Sequence, residues 1–162
     1  MYRNQMSILV TDWQYNCPNR LAALSFGESL PKASNGESRS RLYHFLHVPT
    51  NPLDAKEHPF CIDASCHSAE LPFVFHSQSF IGESFTKAEN QFSLDLQQYW
   101  INIAHGSDAA PFRKLPIWPA YSRESNSSII FTIPITTSSN FYSQKVFSRP
   151  LAVCLVSDVV VV

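Results

Sequence analysis

His67 is the residue of this chain best placed to do chemistry. It follows Cys66 in the run Cys61-Ile62-Asp63-Ala64-Ser65-Cys66-His67-Ser68-Ala69-Glu70, which leads into Leu71-Pro72-Phe73-Val74-Phe75. The pattern predicts a cysteine-closed turn, then the histidine on a loop, then a short apolar strand or turn. An imidazole titrates near neutrality, so it can take a proton from a hydroxyl nucleophile and later give it to a leaving alcohol. That is the general-base step of Ser-His-acid chemistry, in which a carboxylate on the other ring nitrogen fixes the tautomer.

The nucleophile of such a site needs Gly-x-Ser-x-Gly, because glycines allow the strained turn that exposes the serine. Three Gly-Glu-Ser triplets occur, ending at Ser29, Ser38 and Ser84, but Pro31, Ser40 and Thr86 stand where the second glycine belongs. All three are read as loop serines. Glu70 lies three residues after His67 and is the obvious local carboxylate. Two metal readings are weaker. His44 and His47 are three apart on a predicted strand, so they face opposite sides. Cys61, Cys66 and His67 offer adjacent ligands but no second Cys-x-x-Cys. No metal site is assigned. His58, His76 and His105 are read as solvated.

Several elements must position the histidine. Leu9, Trp13, Cys17, Leu21 and Leu24 recur at helical spacing, with a kink expected at Pro18. Residues 26–41 are rich in Ser, Gly and Glu and predict a surface loop. Arg41-Leu42-Tyr43-His44-Phe45-Leu46-His47-Val48 reads as a strand covered on both faces, closed by Pro49 and Pro52. Thr86-Lys87-Ala88-Glu89 is a capping box opening a helix to about Ala104. Its buried stripe is Phe92, Leu96, Tyr99, Trp100 and Ile103, and Gly106 can end it.

These landmarks together resemble the type-B carboxylesterase/lipase family, which includes the cholinesterases. Thr11-Asp12-Trp13-Gln14-Tyr15-Asn16-Cys17-Pro18 resembles its T-D-x-x-F-x-C-P helix. Cys66-His67 with Glu70-Leu71-Pro72-Phe73-Val74-Phe75 resembles its catalytic-histidine segment. The helix ending in Tyr99-Trp100-Ile101-Asn102-Ile103-Ala104 and the stretch Trp118-Pro119-Ala120-Tyr121 match two more landmarks. The resemblance runs over residues 8–144 and implies an α/β fold: the late strands and helices of the mostly parallel sheet of an α/β-hydrolase, incomplete. It divides the chain into a family-like segment over 1–145 and a divergent apolar tail over 146–162.

The resemblance implies a carboxylic ester hydrolase that works through an acyl-serine intermediate and needs no cofactor. His67 is its catalytic base. Glu70 matches a structural acidic position, since the family's acid lies well upstream of the histidine. The serine and the acid are expected before Met1, so the chain alone is expected to be inactive. Its partners are then a small ester substrate and the missing N-terminal part of the same domain. The alternative is a cholinesterase-like binding or adhesion module that keeps the fold without the chemistry.

Four cysteines permit three pairings. Cys61 and Cys66 flank a short loop and also match the family, which leaves Cys17 with Cys154; four free, buried thiols remain the other reading. The family is largely secreted, although Met1–Met6 is polar and lacks the apolar core of a signal peptide. Asn126-Ser127-Ser128 is an N-glycosylation sequon. Apolar residues make up 44% of the chain and charged residues 15%, which excludes a disordered polyampholyte. A net charge of −1 argues against nucleic acid and anionic membrane as partners. The apolar end from Leu151 is too short for a spanning helix, which needs roughly 20 apolar residues.

Overall fold

The computed structural model of the chain describes residues 2–33, 35–52, 58–82, 84–106 and 114–139. The predicted tail over 146–162, with Cys154 and its pairing to Cys17, lies outside them. The chain divides into two compact units, one built on the stretch up to Leu42 with Pro119–Ser128, the other on Tyr43–Trp118 with Ile129–Thr137.

In the first unit, α1 (Tyr2–Thr11) passes through a π-helical turn (Asp12–Asn16) into α2 (Cys17–Ser29). The predicted kink is therefore a π insertion. Pro18 has no N–H to give to the preceding turn, and the helix widens just ahead of it. The extra residue rotates α2 by about 100° relative to α1. Of the expected apolar stripe, Cys17 is buried and Leu24 packs against a buried cluster, while Leu9, Trp13 and Leu21 are exposed, at 38%, 49% and 39%. Ala23 is buried in a cluster with Leu42 and Tyr121, and Leu24 packs against it. The helix also runs through Gly27 to Ser29, which corrects the loop predicted from residue 26. Gly27 is needed there for space, since a Cβ would lie 2.7 Å from Ser38 Oγ. Ser38 Oγ is itself engaged, accepting from the Ser40 amide at 3.1 Å.

Most of the sheet lies in the second unit. Among the described residues the strand order is β1 (Tyr43–Phe45), β2 (Ser127–Phe131), β3 (Thr136–Ser139). β1 and β2 are parallel, with Tyr43 opposite Ile129 and Phe45 opposite Phe131. Their long connection contains α3 (Leu71–Phe75) and α4 (Lys87–Ala104), as a parallel pair requires. The four-residue link from β2 to β3 allows only antiparallel neighbours, so the sheet is mixed.

β1 is shorter than the predicted strand and is not covered on both faces, for Tyr43 is 36% exposed. Arg41 is diverted into an isolated antiparallel bridge with Ala120. Beyond Phe45, the amides of Leu46 and His47 both converge on the Phe131 carbonyl at 3.1 Å, so the ladder cannot continue. α4 keeps closely to its sequence signals. Thr86 caps it, with both halves of the capping box formed. Gly106 takes the left-handed φ of 66° after its end and donates to Ile103 O. Phe92, Leu96 and Tyr99 enter a core with Phe73, Trp118, Ile129, Phe131 and Ile135. Each fully buried side chain of this size contributes about 1.5–3 kcal/mol. Trp100 packs at the margin, while Ile103 is exposed.

Candidate active site

The stretch after His67 is helical, which corrects the strand or turn predicted for Leu71–Phe75. Pro72 stands in the first turn, where a missing N–H costs nothing. The amides of Phe73 and Val74 both donate to Glu70 O, at 3.0 and 2.9 Å. Phe73 is fully buried and stacks on Phe85 at 4.3 Å. A five-residue helix has too few internal bonds to stand alone, so tertiary packing on α4 decides its place.

His67 opens the turn over 67–70 that leads directly into α3, and it is exposed. The turn is bonded on both sides. Ala69 N donates to Cys66 O and Leu71 N to Ser68 O, both at 3.1 Å. Ser68 adopts a left-handed φ of 68°. Upstream, Ser65 Oγ donates to Phe45 O at 3.1 Å, tying the loop to the end of β1.

Cys61 and Cys66 form a disulfide, with Cα atoms 5.6 Å apart. So short a loop contributes about 2 kcal/mol in the chain-entropy picture. The double change Cys61→Ser with Cys66→Ser is expected to lower unfolding free energy by about that amount in urea titrations. Reductant should cost the wild-type chain about that amount more than it costs the variant, in which Cys17 is still disulfide-bonded.

Glu70 precedes α3 and is half-buried, with no capping bond from its side chain. Beside it an open groove of about 480 Å³ is walled mainly by Tyr43, Leu71, Val74, Phe75 and Trp100. Burial and then the Glu70 carboxylate push the Tyr43 phenol upward, so Tyr43 stays protonated.

Two histidines have roles that the sequence reading missed. His47 Nε2 lies 3.1 Å from Glu89 Oε1, which also accepts from Thr50 N at 2.7 Å. The other oxygen, Oε2, accepts from Thr86 N and Thr86 Oγ1 at 2.9 and 2.8 Å. A carboxylate only accepts, so Nε2 of His47 carries the proton of that bond. Burial of Glu89 works against its charge, but the amides of Thr50 and Thr86 and the Thr86 hydroxyl hold the carboxyl down at about 2. Glu89 thus clamps the chain leaving β1 to the start of α4. His76, read as solvated, is instead half-buried, with Nδ1 2.8 Å from Ser93 Oγ. The capping box could have flagged Glu89; nothing local in the sequence flags either histidine.

The remaining candidates have other employment. Ser29 ends α2 rather than lying on a loop, and its Oγ donates to Ser25 O. Ser38 is buried. In the first unit, Asn126 takes a left-handed φ of 42°. Its Oδ1 accepts from Arg20 Nη2 at 3.2 Å and from Tyr121 OH at 3.1 Å.

An exposed imidazole on a turn anchored from both sides can exchange protons with a group brought to it. The carboxylesterase family model matches residues 1–148. The cAMP-regulated D2 protein of Dictyostelium discoideum is 28% identical over 139 residues, 84% of this chain and 24% of that protein. Human cocaine esterase is 34% identical over 85 residues, 51% of this chain and 14% of that protein. Among solved structures, a PNB esterase is 27% identical with a TM-score of 0.52, over 65% of this chain and 20% of its own. The chain therefore spans about a quarter or less of the length of these relatives. Its mixed sheet and flanking helices correspond to part of an α/β-hydrolase domain. No helix among the described residues is long and apolar enough to cross a membrane. A family match over nearly the whole chain, around the turn that carries His67, means that this protein belongs to the carboxylesterase family.

Proposed function

We propose that this chain supplies the general base, His67, of a serine carboxylic ester hydrolase. The nucleophilic serine and the acid are assigned to the part of the hydrolase domain that the relatives have and these 162 residues do not span. The observation that carries this reading is the seating of His67, exposed on a turn pinned by the disulfide before it and by α3 after it.

In that reaction His67 takes the proton of the serine hydroxyl as its oxygen bonds to the ester carbonyl carbon. The tetrahedral intermediate collapses, the carbon–oxygen bond to the alcohol breaks, and His67 gives the proton to the departing alkoxide. Water then attacks the acyl-serine, with His67 taking its proton and returning it to the serine as the acid leaves. Acyl transfer of this kind uses no cofactor.

The same reading accounts for apolar surface on the second unit, where Leu71, Phe75 and Ile101 stand exposed around the Glu70 groove. The rest of the hydrolase domain is the occupant assigned to it. The disulfide favours an oxidising compartment, so secretion is assigned to the whole enzyme. Asn126 is assigned as its glycan acceptor in this stretch. A glycan joins at Nδ2, and the two bonds to Oδ1 survive it.

The test is fluorophosphonate labelling of the native protein that contains this chain, with the adduct mapped by peptide mass. The expected adduct is on a serine of a Gly-x-Ser-x-Gly segment outside residues 1–162. The isolated chain is expected to show no labelling and only background hydrolysis of a short-chain aryl ester. An adduct on Ser29, Ser38 or Ser84, or none in the native protein, would sink the reading.

A further inference from the structure

Ser93 is fully buried on α4, and its hydroxyl donates to Phe73 O at 2.6 Å. A carbonyl oxygen can only accept, so the single Ser93 proton is committed there. The other short contact of Ser93 Oγ, to His76 Nδ1 at 2.8 Å, must then have the ring nitrogen as donor. The geometry selects the Nδ1–H tautomer of His76.

His76 sits at the C-cap of α3 with a left-handed φ of 49°, and its amide donates to Pro72 O. Such a φ is unfavourable for a non-glycine residue and persists where the surroundings over-determine it. Here they do. The ring meets Phe85 edge-on at 6.2 Å, and Phe85 stacks on Phe73. The chain from Phe73 O through Ser93 to His76 therefore closes the middle and the C-terminal end of α3 onto α4. The opposite end of α3 is bonded into the His67 turn through Leu71 N to Ser68 O.

We propose that Ser93 and His76 are positioning residues for His67: a latch that seats α3 on α4 and so sets where the His67 turn stands. This rests on the reading of His67 as the general base. A misplacement of a catalytic group by about 1 Å can cost on the order of 100-fold in rate, so a latch at this remove is expected to act on kcat rather than on substrate binding.

The test has two arms. In the 162-residue chain, nitrogen-15 NMR of the imidazoles should report His76 as the Nδ1–H tautomer, shifting toward Nε2–H in Ser93→Ala. Amide exchange of Ala69 and Leu71 should quicken at least about tenfold in Ser93→Ala and in His76→Gly. His76→Gly removes the donor while relieving the left-handed strain, so it separates the bond from the backbone. His76→Asn, which tolerates that backbone and restores a side-chain N–H, should return exchange toward wild type. An Nε2–H tautomer in the wild type, or unchanged exchange in His76→Gly, overturns the latch. In the native enzyme, Ser93→Ala and His76→Gly should lower kcat about tenfold with KM unchanged, and His76→Asn should recover it. Unchanged kcat despite faster exchange overturns the positioning role. Failure of the underlying reading shows separately, as activity that survives His67→Ala.

Discussion

Replacing Glu89 by alanine is expected to lower the stability of the second unit by roughly 3–5 kcal/mol. Only 2% of Glu89 is exposed, and its two oxygens serve donors from His47, Thr50 and Thr86. Truncation takes away the shared acceptor of those donors, which is the costly side of a hydrogen-bond deletion. It also removes the capping box of α4. The same carboxylate sets a pH dependence. Its pKa in the fold is about 2 against an ordinary 4.5. A group whose folded pKa is depressed stabilises fully above the unfolded value and stops doing so as pH falls through the folded one. Stability should therefore hold above about pH 4.5 and decline toward pH 2, by roughly 3 kcal/mol from this residue. Urea titrations read by Trp100 and Trp118 fluorescence at several pH values test both claims. Glu89→Gln should flatten the acid limb, because its amide cannot titrate. An acid limb unchanged in Glu89→Gln would show that other carboxyls set it.

How much of the fold and site is legible in the sequence depends on the range over which each signal acts. α4 is readable almost to the residue, because Thr86, Glu89 and Gly106 act within one turn of it. α3 is not. Leu71–Phe75 carries no helical period, and its form is set by Pro72, by the burial of Phe73 and by Ser93 taking the Phe73 carbonyl. The apolar stripe of the first helix holds at Cys17 and Leu24 but not at Leu9, Trp13 and Leu21, and the π turn that interrupts it has no period of its own to read. The histidine pairings escape for a different reason. His76 meets Ser93 across 17 residues and His47 meets Glu89 across 42, distances over which only the tertiary structure chooses partners. His67 is found by the residue types around it, and the structure adds how its turn is held. The proposal that it is the base rests on the family and that seating together.

Replacing His67 by alanine in the intact hydrolase is expected to lower kcat by about 10³–10⁴-fold or more, with KM toward a short-chain aryl ester little changed. Without the imidazole no group takes the serine proton as the acyl bond forms, and none returns it to the alcohol. Members of such a constellation act as a unit, so the residual rate is the binding and oxyanion contribution alone. Glu70→Gln is the control that gives this result its meaning. Glu70 is three residues from His67, and its main-chain carbonyl, rather than its carboxylate, anchors α3 through Phe73 and Val74. Its loss of charge should cost less than about tenfold if the acid lies upstream, since triad members removed singly cost far more. A fall in Glu70→Gln as deep as in His67→Ala would make Glu70 the acid partner and place two of the three reacting groups on one turn of this chain. A shallow fall in Glu70→Gln beside a deep one in His67→Ala leaves this chain with one reacting group, held in place by everything packed around α3.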